Sequence, residues 1–186
     1  AVDGKIDVDD SALPRHADLL AMRETHSEPM LVTQARAFKF LYIPVSAEGR
    51  VAVMSNGSGM LMSMIDLLSK KSISVVCALD LGGGATKDRI REAVRIVLAT
   101  PGVDTLFICI FGGITRCDEV AEGIRLALEE GLGDSRVIVR MEGTNKAAGQ
   151  EIIGRTPQAI SAGGIVEGVR IISDLLAPSV ERRNAH

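Results

Sequence analysis

The residues of this sequence that could bind or react with a ligand lie in five short glycine-containing stretches. Each follows an apolar run typical of a strand and precedes a run with helical spacing. The stretches are Asn56-Gly57-Ser58-Gly59, Gly82-Gly83-Gly84, Gly112-Gly113, Glu142-Gly143-Thr144-Asn145 and Gly163-Gly164. Glycine lets the backbone approach a ligand closely, and the following helix start offers free N–H groups and a positive dipole end. The set predicts an edge that binds an anion or another ligand, although any single loop could need glycine only to turn.

The side chains around these loops offer no obvious nucleophile or general base. The sequence contains no GxxxxGK[ST], GxGxxG or GxSxG pattern, so a P-loop, a dinucleotide fingerprint and a nucleophile elbow are unsupported. Cys117 has no histidine near it in sequence and is interpreted as structural. None of the histidines follows a predicted strand or has metal-ligand spacing; they are His16, His26 and His186. We therefore expect binding by backbone groups rather than side-chain catalysis.

An acidic cluster near the start of the sequence could bind a divalent cation. Its members are Asp3, Asp7, Asp9 and Asp10. The spacing lacks the glycine and the glutamate that an EF-hand loop requires. From the residues alone, a solvated acidic turn is favoured over a metal site.

The composition limits the class of protein. The chain has 186 residues with 24 acidic and 21 basic side chains, a formal charge of −3, and 46% apolar residues. This is a globular composition, and the mild acidity with only 3% aromatic residues argues against nucleic-acid binding. No run approaches the roughly 18 apolar residues of a membrane span. Three cysteines without a CxxC pair indicate a reduced, cytosolic protein.

From residue 38 onward, strands and helices alternate and position the loops. Strands are predicted at 38–45, 50–55, 72–79, 104–111, 136–141 and 158–161. Helices are predicted at 60–70, at about 86–100, and after the last three glycine stretches to about 131, 153 and 176. Alternation of this kind predicts βαβ units, and continuous apolar strands predict helices on both faces of a parallel sheet. The expected fold is a flavodoxin-like (Rossmann-like) doubly wound α/β domain with three layers.

Three regions are predicted, namely residues 1–37, 38–178 and 179–186. The first has a strand candidate over 1–8, a helical pattern over 17–26 and a linker over 27–37, and is too small to bury a core. The last is a polar tail. Because the sequence opens at alanine rather than methionine, we expect it to be a piece of a longer polypeptide.

Four motifs occur in an order that resembles a known family. They are Asn56-Gly57-Ser58-Gly59-Met60, Asp80-Leu81-Gly82-Gly83-Gly84-Ala85-Thr86-Lys87, Ile110-Phe111-Gly112-Gly113-Ile114-Thr115-Arg116-Cys117-Asp118 and Arg140-Met141-Glu142-Gly143-Thr144-Asn145. Together they resemble the carboxy-terminal CoA-ligase domain of the β subunit of succinyl-CoA synthetase, the nucleoside-diphosphate-forming succinate–CoA ligase. Residues 1–37 are similar to the end of that subunit's ATP-grasp region.

The resemblance implies a reaction and its partners. In this family, succinate, CoA and ATP or GTP with Mg²⁺ give succinyl-CoA, nucleoside diphosphate and phosphate through a phosphohistidine on an α subunit. The implied assembly is a hetero-oligomer in the cytoplasm, or in the mitochondrial matrix of a eukaryote. Neither nucleic acid nor membrane takes part.

The resemblance also assigns residues by motif match. Asn56 and the backbone of Gly113, Ile114 and Thr115 are expected to bind the substrate carboxylate. A helix starting at Gly113 and running through Arg116 is expected to face the phosphohistidine, and no catalytic side chain is expected in this chain. Asp3 matches a Mg²⁺ ligand of the nucleotide site, which reverses the interpretation above for this one residue. The isolated chain is expected to lack ligase activity.

Three alternatives stay open at this point. Malate–CoA ligase and related acid–CoA ligases share the architecture, so the acid is undecided. A non-enzymatic flavodoxin-like binding or assembly module would keep the loops only as turns. A flavin or nucleotide domain is disfavoured because the sequence has one tyrosine and no tryptophan to flank a flavin ring.

Overall fold

A single mixed sheet organises the chain. The computed structural model describes residues 2–9, 12–22, 29–131 and 133–177. The strands are β1 Leu41–Pro44, β2 Val51–Ser55, β3 Val75–Asp80, β4 Thr105–Gly112, β5 Arg136–Gly143 and β6 Ala159–Ser161. The helices are α1 Ala17–Met22, α2 Met30–Ala37, α3 Ser58–Ser69, α4 Lys87–Leu98, α5 Cys117–Glu129, α6 Lys146–Gly154 and α7 Ile165–Leu176, with a 3-10 turn at Leu13–Arg15.

The strand order confirms the predicted fold class and corrects one detail. The sheet runs β1-β3-β2-β4-β5-β6. Strands β2 to β6 are parallel, in the flavodoxin order 2-1-3-4-5 when counted from β2. The edge strand β1 is antiparallel to β3, whereas a parallel sheet was expected. Residues 45–50 are too few for a parallel crossover, which needs a dozen or more residues, so β1 must run against β2 and its neighbour.

Both faces of the sheet are covered, as the continuous apolar strands predicted. Every residue of β2 is buried. On one face, α2, α4, α5 and α6 pack through side chains such as Ala35, Ile90, Val120 and Ile153. On the other face, α3 and α7 pack through Leu61, Met64, Leu68, Val169 and Ile172. Removing these side chains from water is the main source of stability, at about 25 cal/mol per Å² of apolar surface.

The amino-terminal region departs from expectation in two places. The described residues 2–9 form no strand, although 1–8 was a strand candidate. Residues 30–37 form α2 instead of a linker, because Leu31, Val32 and Ala35 share one helical face that packs on the core. The helical pattern over 17–26 is confirmed as α1 for its described part. The rest of that pattern, residue 132 and the tail 179–186 lie outside the described residues.

No helix within the described ranges is long and apolar enough to cross a membrane.

Candidate functional site

The loops after β2 and β4 meet at the carboxyl edge of the sheet. The helices that follow these two adjacent strands, α3 and α5, lie on opposite faces, which is the arrangement where open α/β sheets bind ligands. Asn56 joins the loop after β2 to the end of β4, because its Nδ2 donates to the Phe111 carbonyl at 2.9 Å and its Oδ1 accepts from the Phe111 N–H at 3.0 Å. Asn56 therefore holds the end of β4 in place, a bracing role that the sequence did not indicate.

Thr115 joins the β4 loop to the triple-glycine loop after β3. Its side chain is buried, and its hydroxyl oxygen accepts a hydrogen bond from the Ala85 N–H at 3.3 Å. The Thr115 side chain is thus a brace, and only its backbone is left for the binding role expected of it. Asn56 and Thr115 together fix the path of residues 112–115 from both sides.

The β4 and β5 loops touch through backbone atoms. Gly112 and Gly143 are register partners. The Thr144 N–H donates to the Gly112 carbonyl at 3.2 Å, and the Cys117 N–H donates to the Thr144 carbonyl at 2.9 Å. The β5 loop therefore uses one of the N–H groups that the start of α5 would otherwise leave open.

The helix after β4 starts later than expected. Helix α5 begins at Cys117 with Arg116 as its N-cap, whereas a start at Gly113 was expected. Two glycines and the buried brace Thr115 favour a bend over residues 113–115 before the first helical turn. That bend carries the open donors instead, because the N–H groups of Gly113, Ile114 and Thr115 have no partner among the described residues.

Around that bend, the surface is open. A Cβ built on Gly113 would meet nothing within 4 Å, and Ile114 is 91% exposed. Three consecutive N–H groups left open in this way are the kind of backbone donors that bind a carboxylate or a phosphoryl oxygen. The expected binders Gly113, Ile114 and Thr115 are consecutive, and Asn56 lies at the same edge through its two hydrogen bonds to Phe111.

Arg116 is not a free cation. Its guanidinium donates to Asp118 from Nη2 at 2.7 Å and from Nε at 3.2 Å, and Asn145 donates to the same carboxylate at 3.0 Å. The hydrogen bond from Arg116, followed by the one from Asn145, lowers the pKa of Asp118 to about 2, against partial burial, which raises it. This pair links α5 to the β5 loop, and the Arg116 charge is largely neutralised there.

A second cation, Arg140, lies near the edge, and the sequence did not indicate it as a site residue. Arg140, near the end of β5, has a guanidinium whose Cζ lies 5.9 Å from the centre of the Phe111 ring. Glu142 is bound by Lys146 at 2.7 Å, and that hydrogen bond lowers the pKa of Glu142. The sequence signal was an arginine that follows the apolar run Val137-Ile138-Val139 within a strand, a place where a charge is rare unless it is paired.

The remaining candidate residues lie elsewhere or are inert. Asp3 is exposed, and its carboxylate accepts the Gly4 N–H at 2.7 Å. Within the described ranges, no three His, Cys, Asp or Glu side chains converge to hold a metal ion. Cys117 is buried, and burial raises the pKa of its thiol, which supports its structural interpretation. His16 is exposed, and His26 and His186 lie outside the described residues.

These features define a doubly wound α/β domain whose glycine loops meet at the carboxyl edge of its sheet. Residues 54–168 match the family model described as CoA-ligase, and the chain belongs to that family. The matched segment contains all of the loop residues described above except those of the amino-terminal region.

Curated relatives agree with this membership. The chain is 40% identical over 157 residues to the β subunit of the GDP-forming succinate–CoA ligase of Thermus thermophilus. It is 41% identical over 155 residues to the β subunit of the ADP-forming succinate–CoA ligase of Haemophilus influenzae. These alignments cover 84% and 83% of this chain but only 41% and 39% of the relatives. The chain thus spans about two fifths of the length of the relatives it matches.

Solved structures share the fold at low sequence identity. ATP citrate lyase from Methanosaeta concilii, in complex with (3S)-citryl-CoA, superposes with a TM-score of 0.74 at 16% identity, covering 92% of this chain and 50% of that one. The dinucleotide-forming acetyl-coenzyme A synthetase 1 of Candidatus Korarchaeum cryptofilum gives a TM-score of 0.57 at 20% identity, covering 78% and 36%. At these identities the likeness extends to the fold alone.

Proposed function

We propose that this chain is the CoA-ligase part of the β subunit of an acid–CoA ligase, with succinate as the acid. The complete enzyme would convert succinate, CoA and a nucleoside triphosphate to succinyl-CoA, nucleoside diphosphate and phosphate. The observation that carries the proposal is the bend of residues 113–115, which is held by the contacts of Asn56 and Thr115 and whose three N–H groups have no partner among the described residues. The curated relatives, which are β subunits of succinate–CoA ligases, support the same reaction.

In this proposal the chain contributes binding groups rather than a nucleophile. The N–H groups of Gly113, Ile114 and Thr115 bind an oxyanion, either the acid carboxylate or a phosphoryl group that a partner α subunit presents on a histidine. Backbone donors held in place in advance stabilise such charge without reorganising during the reaction. Asn56 keeps the donors aligned through Phe111 and has one further N–H for the acid.

The nucleotide would bind outside the CoA-ligase domain. ATP or GTP with Mg²⁺ would bind to an ATP-grasp region, with Asp3 as one metal ligand. A lone exposed carboxylate does not fit a complete Mg²⁺ site, because Mg²⁺ demands octahedral oxygen ligation. The isolated chain is therefore expected to be inactive, and CoA would be bound mainly by the α subunit. The assembled enzyme would work in the cytoplasm, or in the mitochondrial matrix of a eukaryote.

A hybrid subunit tests the proposal. The segment of the Thermus thermophilus β subunit that aligns with this chain is replaced by this chain, and the hybrid is co-expressed with the α subunit of that enzyme. We expect co-purification and formation of nucleoside diphosphate that requires both succinate and CoA, while this chain alone shows none. Malate and citrate are assayed in parallel to identify the acid. Failure of a folded hybrid to bind the α subunit would instead favour a non-enzymatic module.

A further inference from the structure

The last three-strand row of the sheet beneath α3 and α7, here called the polar row, contains a serine and an arginine. Ser55 on β2, Cys109 on β4 and Arg140 on β5 are register partners across three strands. Below them, the corresponding row of Val53, Phe107 and Ile138 is apolar. Two atoms of the polar row, the Ser55 Oγ and the Arg140 Nε, are buried without a hydrogen-bond partner in the described part of the chain. Buried polar atoms are normally paired, so this row needs an explanation.

The charge of Arg140 is poorly matched within the protein. Its side chain is only 16% exposed, yet the nearest carboxylate oxygen in the described part of the chain, on Glu142, is 4.0 Å from Nη2. The same Glu142 oxygen is held by Lys146 at 2.7 Å. The other contacts of Arg140 Nη1 are long, at 3.4 Å to the Ile110 carbonyl and 3.9 Å to the Cys109 Sγ. Arg140 and Lys146 thus share the Glu142 carboxylate, so one of the two positive charges is not compensated within the described residues.

This charge lies next to the residues that the proposed function uses. Phe111, whose ring packs near the Arg140 guanidinium, is the residue whose backbone Asn56 holds. The bend of residues 113–115 follows directly along the chain. The other arginine of this edge, Arg116, is paired with Asp118 by two hydrogen bonds and so carries little free charge. Arg140 is therefore the better placed of the two to attract an anion.

We infer that Arg140 is a specificity-determining residue, whose guanidinium supplies the positive charge that attracts a substrate carboxylate to Asn56 and residues 113–115. The inference rests on the proposed function and adds a named residue to it. The planar fork of the guanidinium favours a carboxylate, which accepts two parallel hydrogen bonds from arginine, and its Nη2 has no carboxylate oxygen closer than 4.0 Å among the described residues. A lysine would keep the charge but not this geometry.

Steady-state kinetics of the hybrid enzyme test the inference when that enzyme is active. Arg140→Met should raise the KM for succinate by about 10- to 100-fold, the usual effect of losing a hydrogen bond to a charged group. The kcat and the KM for CoA should change much less, and Arg140→Lys should recover part of the loss. Arg136→Met is the matched control, because Arg136 lies on the same strand at its opposite, exposed end. Equal effects of the two methionine variants, or an unchanged KM in folded Arg140→Met, would overturn the inference.

Nuclear magnetic resonance of the full chain decides the question if the hybrid enzyme is inactive. The Nε–Hε resonance of Arg140, assigned by its loss in Arg140→Lys, is followed during titration with succinate. We expect a saturable shift with succinate and none with neutral succinamide, while the Arg136 resonance stays in place. No shift of Arg140, or an equal shift at Arg136, would overturn the inference. Because this readout needs neither activity nor an α subunit, its failure is distinct from failure of the proposed function.

Discussion

Gly143 lies so close to Gly112 that a Cβ on Gly143 would be 1.7 Å from the Gly112 carbonyl oxygen. Gly143 also has a φ of +117°, a conformation that residues with side chains rarely adopt. The contact joins the ends of β4 and β5. It therefore fixes the point at which each of the two following loops leaves the sheet. The shape of the site thus depends on the absence of a side chain at one position.

Gly143→Ala should therefore destabilise the protein. Steric overlap with backbone and an unfavourable φ together should cost at least about 2–4 kcal/mol of the free energy of unfolding. Urea unfolding of the chain measures this cost. Gly83→Ala is the matched control, because a Cβ there meets nothing within 4 Å and its φ lies outside the left-handed region. Equal stability of the two variants would contradict the steric argument.

A substitution at Gly113 should have the opposite effect, because activity is lost while stability is retained. A Cβ on Gly113 has open space, so Gly113→Val should change the free energy of unfolding by less than about 0.5 kcal/mol. The branched side chain would cover the N–H groups of residues 113–115, and losing such donors typically costs about 10²- to 10³-fold in kcat. Turnover of the hybrid enzyme measures the effect. Gly154→Val, at the distant end of α6, is the control that should retain activity.

Asn56 should protect one particular amide from exchange with solvent. The Phe111 N–H donates to the Asn56 Oδ1, so Asn56→Ala should speed hydrogen exchange at Phe111 while Ile110, inside β4, stays protected. Losing the two hydrogen bonds should cost about 1–3 kcal/mol of stability, since each contributes roughly 0.5–1.5 kcal/mol. Residue-resolved exchange gives both quantities. Unchanged exchange at Phe111 would show that Asn56 does not hold the end of β4.

Much of the fold followed from the sequence because the pattern is locally consistent. The five parallel strands, their helices and the glycine loops were predicted, since continuous apolar runs and glycine punctuation act over short distances. The direction of β1 was not predicted, because strand direction depends on how residues 45–50 connect β1 to β2 rather than on residue types. Helix α2 was missed because its apolar face is only a few residues wide.

The candidate site was predicted as a set of loops but not as a set of contacts. Gly113 and Asn56 were named, yet the bracing of Phe111 by Asn56 joins residues 55 positions apart. The first helical residue was placed at Gly113 instead of Cys117, because the sequence cannot show that Thr115 is buried against Ala85. Arg140 was overlooked because its significance lies in contacts that it fails to make, and only packing reveals them.

Asp118 should make stability depend on pH below about 4. Its folded pKa of about 2 lies below the roughly 3.9 of an unfolded aspartate, so ionised Asp118 stabilises the folded state. This contribution is fully present above the unfolded pKa and is lost as the pH falls toward 2. Asp118→Asn should therefore lower the Tm at pH 7 and have little effect near pH 2. Thermal unfolding of both proteins from pH 2 to 7 is the measurement, and a constant Tm difference would contradict the assignment.

Ser55 should be dispensable for stability despite its complete burial. Its hydroxyl group has no hydrogen-bond partner within the described ranges, so the folded protein carries an uncompensated desolvation cost there. Ser55→Ala removes that cost and leaves a small void, so the free energy of unfolding should stay the same or rise by up to about 1 kcal/mol. Thr105→Val, at the opposite end of the neighbouring strand β4, provides a comparison at another buried hydroxyl position. A loss of more than about 1 kcal/mol in Ser55→Ala would show that the hydroxyl group is satisfied by a buried water, and the polar row would then be a hydrated one.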